Sequence, residues 1–275
     1  MIFLRKILFP FAILYGWITQ FRNFLYDKGI LQSYSFDIPI IAVGNLSVGG
    51  TGKTPQIEYL LRLLSPNYRV ATLSRGYKRK SNGFLLADEH STAASLGDEP
   101  YQFYLKFPKV QVAVDADRKN GIEQLLIRDT KPEIIVLDDA FQHRRVKAGF
   151  YILLTTFDEL YVDDFLLPTG NLREGISGSK RADIIIVTKC PLTISDTDMS
   201  EVKRKLNANK PVFFSTVAYD DFAYSRDSKI EIGKLKSMSK LLAAGIAKPK
   251  AFFDFLKNDT DDIMVFPDHH HFENN

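Results

Sequence analysis

Cysteine is almost missing from this chain: Cys190 stands alone among 275 residues. One thiol cannot build an internal disulfide framework, and such a chain suits a reducing compartment. A strong charge bias is missing too. The formal net charge is +3 with histidine neutral, which marks no nucleic-acid partner, and none is expected. Long apolar runs are also lacking. The most apolar stretch, Ile7 to Ile18, falls well short of the ~20 residues that a helix needs to span a bilayer. No internal repeat or low-complexity tract stands out. What remains is an ordinary globular composition, 45% hydrophobic and 25% charged, long enough for one large domain or two smaller ones.

The most informative stretch is IIAVGNLSVGGTGKTP, Ile40 to Pro55. A buried-strand run, Ile40 to Val43, enters a glycine-rich turn that ends in Gly-Lys-Thr, and a helix is expected over Gln56 to Leu64. Strand, glycine loop, Lys, Thr and helix make a phosphate-binding loop. Glycines let backbone N–H groups turn toward phosphate oxygens, and the helix N-terminus adds its positive dipole end. Ser47, Val48, Gly49, Gly50, Thr51, Gly52, Lys53 and Thr54 are the expected cradle. Lys53 is placed to reach β and γ phosphates, and the Thr54 hydroxyl to ligate Mg²⁺. Ser47 stands where the usual loop has its first glycine. The bland alternative is a solvated turn with an exposed lysine.

Further strands are expected over Tyr68–Leu73, Val110–Val114, Glu133–Leu137, Tyr151–Thr155, Asp183–Thr188 and Pro211–Val217. Short apolar strands alternating with helical segments predict a parallel, doubly wound α/β sheet. Its strand ends carry the chemistry. Asp138-Asp139 close EIIVL, where acids downstream of a glycine loop suit a hard divalent cation. Arg75 begins a basic cluster with Lys78, Arg79 and Lys80, either an anion site or a solvated loop. Arg118 follows Asp115 and Asp117, to meet phosphate or pair with those acids. Asp98 and Glu99 in GDEP head the expected helix Tyr101–Lys106, where carboxylates are also simple helix caps. Gln142 and His143 crowd the acid pair, and Arg173 and Glu174 sit in a long polar connection of the kind that forms lids. Asp268, His269, His270 and His271 follow one another too closely to share one side of a strand.

At the N-terminus, Arg5 and Lys6 precede the apolar run without a small-residue cleavage site after it. Trp17, Tyr15 and several Phe residues, flanked by Arg22 and Lys28, suit a helix lying in a membrane interface or packed on the protein's own core. Pro10 either starts or interrupts that helix. Domain boundaries are expected at 1–217 for a P-loop core carrying this helix, 218–238 for a linker or small hairpin, and 239–275 for a small C-terminal α/β domain.

VGNLSVGGTGKTP, SRGY, GDEP, DDAFQHRR, LLPTGNLRE, RADIIIVTK, AGIAKP with FFDFL, and FPDHH occur in that order. This set resembles the tetraacyldisaccharide 4'-kinase family of lipid A biosynthesis over most of the chain. The resemblance implies a P-loop core, a linker and a small C-terminal domain that the chain carries in part, since the family runs on beyond DHH. It implies ATP and Mg²⁺ as cofactors. It implies an acylated disaccharide lipid as acceptor, phosphorylated on its 4'-hydroxyl at the cytoplasmic face of the bacterial inner membrane by a peripheral enzyme. Carried over, Lys53 and Thr54 serve phosphate and metal, Asp138 and Asp139 hold Mg²⁺, and Asp98 is the catalytic carboxylate assisted by His269. Arg75, Arg118, Gln142, His143, Arg173 and Glu174 lie near the substrate. Ala140 replaces the glycine usual in the family's metal block. The competing readings are another P-loop protein, either a small-molecule kinase or a membrane-associated nucleotide switch. Against a guanine-reading switch, VTKC at Val187–Cys190 lacks the Asn and Asp of that motif.

Overall fold

The computed structural model describes Arg5 and residues 7–225, 228–246 and 249–267. They form two compact units, residues 1–216 and 217–275. The first holds strands β1 (Ile40–Asn45), β2 (Val70–Ser74), β3 (Leu85–Leu86), β4 (Gln111–Val114), β5 (Ile134–Asp138), β6 (Phe150–Thr156), β7 (Ile184–Thr188) and β8 (Val212–Phe214). Its helices are α1 (Phe9–Asp27), α2 (Lys53–Leu64), α3 (Ala93–Leu96), α4 (Asp98–Lys106), α5 (Arg118–Leu126) and α6 (Asp196–Leu206). The strands make one sheet in the order β3-β4-β2-β5-β1-β6-β7-β8. Neighbours run parallel except β3, which lies antiparallel on β4.

The strand alternation sorts residues between two covered faces. Ile40, Ala42, Ala71, Leu73, Ile135 and Leu137 pack with Ile122 and Leu125 of α5. Val43, Val70, Val112 and Val136 pack on the opposite face with Ile57 and Leu61 of α2 and Phe103 of α4. Leu153, Ile185 and Val187 meet Val202 and Leu206 of α6. With both faces buried, strands read as continuous apolar runs, which is why they stand out in the sequence.

The central strands end level with one another. Val43 of β1 is opposite Asp138 of β5, and Leu73 of β2 is opposite Leu137. From β1 the chain moves outward to β2 and β4, returns as β5, and then crosses to β6, β7 and β8 on the other side. Ligand crevices form at such reversals, beyond the carboxyl ends of the strands. The glycine loop, Ser74–Gly76, Asp115–Arg118 and Asp138–Asp139 all leave the sheet at that edge.

Helix α1 starts at Phe9, and Pro10, within its first two positions, sacrifices no helical hydrogen bond. Its packed face is small: Ala12, Gly16 and Thr19 are buried. A Cβ on Gly16 would stand 2.7 Å from the Leu166 Cδ1, so glycine admits the close approach. Its outer face is large and apolar, with Phe11, Leu14, Trp17, Ile18 and Phe21 all exposed. That is the reverse of an ordinary amphipathic surface helix, whose apolar stripe faces the core. Among the described residues, no helix is long and apolar enough to cross a membrane.

The second unit contains the hairpin β9 (Phe222–Tyr224) and β10 (Lys229–Glu231), helix α7 (Ile232–Ser237), β11 (Leu241–Ala244), α8 (Lys250–Leu256) and β12 (Asp262–Val265). Strands β11 and β12 are parallel, joined through α8. Leu242, Ala244, Phe253 and Leu256 form its own small core. Residues 218–238 thus contain a hairpin and a helical turn.

Candidate active site

The loop after β1 turns on glycines in conformations that Cβ-bearing residues rarely adopt. Gly49 has φ 111° and Gly52 φ 83°, and helix α2 begins at the next residue, Lys53. The expected helix start, Gln56, is therefore corrected to Lys53, because Gly52 already caps the turn in a left-handed conformation. A Cβ at Gly44 would lie 2.6 Å from the Phe141 Cβ, so the strand end and the acid-bearing loop are in backbone contact. Two side chains brace the loop. Asn45 Nδ2 donates to Thr51 Oγ1 at 2.8 Å, and Thr188 Oγ1, at the end of β7, donates to the Thr51 carbonyl at 2.8 Å.

Lys53 points at the acid pair. Its Nζ is 3.7 Å from Asp139 Oδ1 and 3.4 Å from Asn45 Oδ1. Arg173 grips the same carboxylate with two parallel bonds, Nη1 to Oδ2 at 2.9 Å and Nη2 to Oδ1 at 2.7 Å. This fork geometry is the strong form of a charged hydrogen bond. Arg173 Nη2 also donates to the Asn45 side-chain and main-chain oxygens, the latter at 3.0 Å. Burial pushes the Asp139 carboxyl up, but Arg173 and Lys53 outweigh it and hold it at about 2. Asp138 behaves oppositely. Burial, reinforced by the Asp139 charge, raises it to about 6 despite Lys53 and Arg118. Its Oδ2 accepts a bond from Ser74 Oγ at 3.2 Å.

The remaining expected residues gather around this pair. Arg118 is 2% exposed and donates to two main-chain carbonyls, from Nη1 to Asp115 at 2.6 Å and from Nη2 to Asp138 at 3.1 Å. Burial lowers its pKa to about 10, with the charges of Asp138 and Asp139 opposing the drop. Gln142 Nε2 donates to the Asn45 carbonyl and to Glu174 Oε1, both at 2.9 Å. Glu174 is fully buried and also accepts from Asn23 Nδ2 at 2.9 Å and Arg181 Nη2 at 2.7 Å. Burial, then the Arg118 and Arg75 charges, lower His143 to about 4. His143 and Arg75 line a basic cavity of about 490 Å³ with Arg22, Arg118, Lys119 and Arg144. Asp98 is exposed in the first turn of α4. It follows Gly97, which has φ 94° and whose added Cβ would be 3.4 Å from the Gly76 Cα, so the GDEP and SRGY loops are in contact. The Glu99 charge is one of those that raise Asp138, after burial and Asp139. His269 lies outside the described residues.

Asn45, Asn23 and Arg181 were not singled out by sequence reasoning. Only Asn45 carried a signal, as a polar residue ending an otherwise apolar strand, where Asn is a poor strand former. Among the described residues no group of three or more His, Cys, Asp or Glu is assembled for a metal. The donors at hand are the Asp138 and Asp139 carboxylates and the Thr54 hydroxyl, an all-oxygen set that fits a hard cation such as Mg²⁺. Asp138 is the freer carboxylate, since Arg173 occupies both oxygens of Asp139.

A glycine loop between a central strand and a helix, with acids at the adjacent strand end of a mostly parallel sheet, defines a P-loop α/β protein. The sequence model of the tetraacyldisaccharide-1-P 4'-kinase family matches residues 4–275, and the chain belongs to that family. It is 67% identical to a tetraacyldisaccharide 4'-kinase of Flavobacterium johnsoniae, over 98% of this chain and 80% of that one. It is 48% identical to the enzyme of that name from Bacteroides thetaiotaomicron, over 98% and 75%. Among solved structures it resembles LpxK from Aquifex aeolicus, in complex with ATP, with a TM-score of 0.82 and 36% identity over 97% of this chain and 83% of that one. The chain is a kinase, an enzyme that moves a phosphoryl group onto a hydroxyl.

Proposed function

We propose that this kinase transfers the γ-phosphoryl group of ATP to the 4'-hydroxyl of tetraacyldisaccharide 1-phosphate at a membrane surface. The observation that carries this reading is the placement of Lys53, at the first turn of α2, 3.7 Å from Asp139 at the end of the neighbouring strand. Between Ser47 and Thr54, backbone N–H groups other than those of Val48 and Thr51, which bond to the Asn171 and Gly49 carbonyls, and the α2 N-terminus are offered to the phosphates. Lys53 adds a cation where β and γ phosphates sit. Asp138, Thr54 and, through the lone pairs that Arg173 leaves open, Asp139 would hold Mg²⁺. Held there, such an ion would supply positive charge against the phosphates during transfer. Asp98, exposed at the start of α4 next to the SRGY loop, accepts the sugar hydroxyl proton on a carboxylate oxygen.

The acceptor's two ends suit two surfaces. Its phosphate is anionic, and the basic cavity lined by Arg75, Arg118 and Arg144 complements it. Its acyl chains are apolar. A groove of about 430 Å³ between α1 and residues 164–177 is lined by Phe9, Ile13, Phe165, Leu166 and Ile176. The outward aromatic stripe of α1 supports a peripheral position on the cytoplasmic face of the inner membrane.

The test uses γ-labelled ATP and tetraacyldisaccharide 1-phosphate in mixed micelles. Label is expected in the lipid, and Asp98→Ala should lower turnover by about 100-fold or more while ATP still binds. Label released only as free phosphate, with the lipid unmodified, overturns the reading.

A further inference from the structure

We propose that Asn23 and Tyr15 of helix α1 are positioning residues for phosphoryl transfer. They fix Glu174 and Arg173, and Arg173 in turn fixes the Asp139 carboxylate. The proposal rests on the reading above, in which Asp139 belongs to the Mg²⁺ site. The helix expected to meet the lipid is thereby a structural part of the acid centre.

The contacts form a continuous path. Tyr15 Oη donates to the Arg173 carbonyl at 2.7 Å, and Asn23 Nδ2 donates to Glu174 Oε2 at 2.9 Å. One helix face therefore holds the main chain of one residue and the side chain of the next. Arg22 and Arg144 tighten the same junction, with Arg22 Nη2 donating to the Gln142 carbonyl at 3.3 Å and Arg144 Nη1 to the Asn23 carbonyl at 2.7 Å. Beyond the junction the path converges. Glu174 accepts from Gln142, whose Nε2 also donates to the Asn45 carbonyl. Arg173 donates to that same carbonyl and to both oxygens of Asp139. Asn45 in turn braces Thr51 of the glycine loop and lies 3.4 Å from the Lys53 Nζ.

Glu174 is fully buried, so it acts by orienting its partners rather than by touching a ligand. Its three donors come from α1, from the loop after β5 and from the 176–181 turn. A buried carboxylate with donors from three segments fixes all of them at once, because each lost bond leaves charge uncompensated. Partners of this outer kind usually set the geometry and affinity of a metal site about as much as its nearest ligands do. A helix held only to anchor the protein on lipid needs no bond to this carboxylate; its small packed face, Ala12, Gly16 and Thr19, already seats it.

The variants are Asn23→Ala and Tyr15→Phe in the full chain. Four quantities are read: kcat, the lipid KM, the Mg²⁺-dependent affinity for a non-hydrolysable ATP analogue by isothermal titration, and binding to phosphatidylethanolamine–phosphatidylglycerol vesicles. Each variant is expected to lose roughly 10-fold in kcat and in Mg²⁺-dependent analogue affinity. Vesicle binding and the lipid KM should stay at parent values. Unchanged kcat and analogue affinity overturn the proposal, and so does a loss confined to the lipid KM or vesicle binding. Should Asn23→Ala fail to fold, Tyr15→Phe and Asn23→Ser are judged on the same readouts. Asp139→Asn tests the underlying reading separately: if it leaves the Mg²⁺ dependence intact, the acid's assignment fails whatever Asn23 shows.

Discussion

Replacing Glu174 by Gln gives a sharp test of how the centre is held. The substitution keeps shape and removes one charge from a side chain that has no solvent exposure. Three donors lose a carboxylate: Asn23 Nδ2 at 2.9 Å, Gln142 Nε2 at 2.9 Å and Arg181 Nη2 at 2.7 Å. The new amide nitrogen must face at least one of them, donor against donor. Arg181, itself only 20% exposed, keeps its charge and loses the carboxylate it is paired with. Breaking a buried ion pair from one side costs about 3–5 kcal/mol. Partial access of water to Arg181 reduces this, so about 3 kcal/mol is expected. The measurement is urea unfolding of the parent, Glu174→Gln, Arg181→Leu and the double variant, followed by far-UV circular dichroism. The double variant should recover most of the loss, because removing both charges leaves no uncompensated ion. A loss below about 1 kcal/mol, typical of exposed pairs, would refute the reasoning. So would a double variant no more stable than Glu174→Gln alone.

Three further outcomes follow from the same geometry. His143 is held at about 4 by burial and by the Arg118 and Arg75 charges, so the unfolded chain protonates first, near its ordinary 6.5. Its contribution is fully present above pH 6.5 and is lost as pH falls toward 4. The limit is about 3 kcal/mol and, for a half-buried ring, about 1–2, so the stability difference between parent and His143→Asn should shift by that amount over this window. Gly97→Ala places a Cβ at φ 94° and 3.2 Å from the Tyr77 carbonyl oxygen. It should cost about 1–3 kcal/mol and lower turnover beyond what the lost folded fraction explains, as shown by kcat against denaturation midpoint. Phe21→Asp on the outer face of α1, where Phe21 is 63% exposed, should leave unfolding within about 0.5 kcal/mol while co-sedimentation with vesicles falls sharply.

The sheet was legible because its strands are buried on both sides, so EIIVL and DIIIVT read as unbroken apolar runs. The glycine loop was legible because its chemistry is local. Strand β3, only Leu85–Leu86, escaped because a two-residue edge strand leaves no periodicity to find. Helix α4 starts at Asp98 rather than Tyr101, since Gly97 turns the chain just before the acids. Sequence reasoning could propose residues for the site but not the bonds among them. Arg118 had two readings, phosphate or nearby acids, and its guanidinium instead donates to main-chain oxygens of Asp115 and Asp138. Arg173 and Asp139 are 34 positions apart, and no local spacing announces their pairing. The same holds for Asn23 and Glu174, 151 positions apart.

The N-terminal helix shows why two readings of one sequence stretch need not compete. An apolar segment rich in Phe and Trp suits either a lipid interface or the protein's own core, and each needs an apolar stripe. Helix α1 satisfies the packing requirement with its small residues, as Gly16 brings the backbone against Leu166. Its large residues are left for the outside, with Trp17 70% exposed. Water penalises such a surface in proportion to its apolar area, which suits the lipid contact proposed above. The polar residues between the two stripes, Tyr15 and Asn23, face the chain that carries Arg173 and Glu174. One helix thus turns its large apolar residues outward and, through Tyr15 and Asn23, holds the segment whose Arg173 pairs with Asp139.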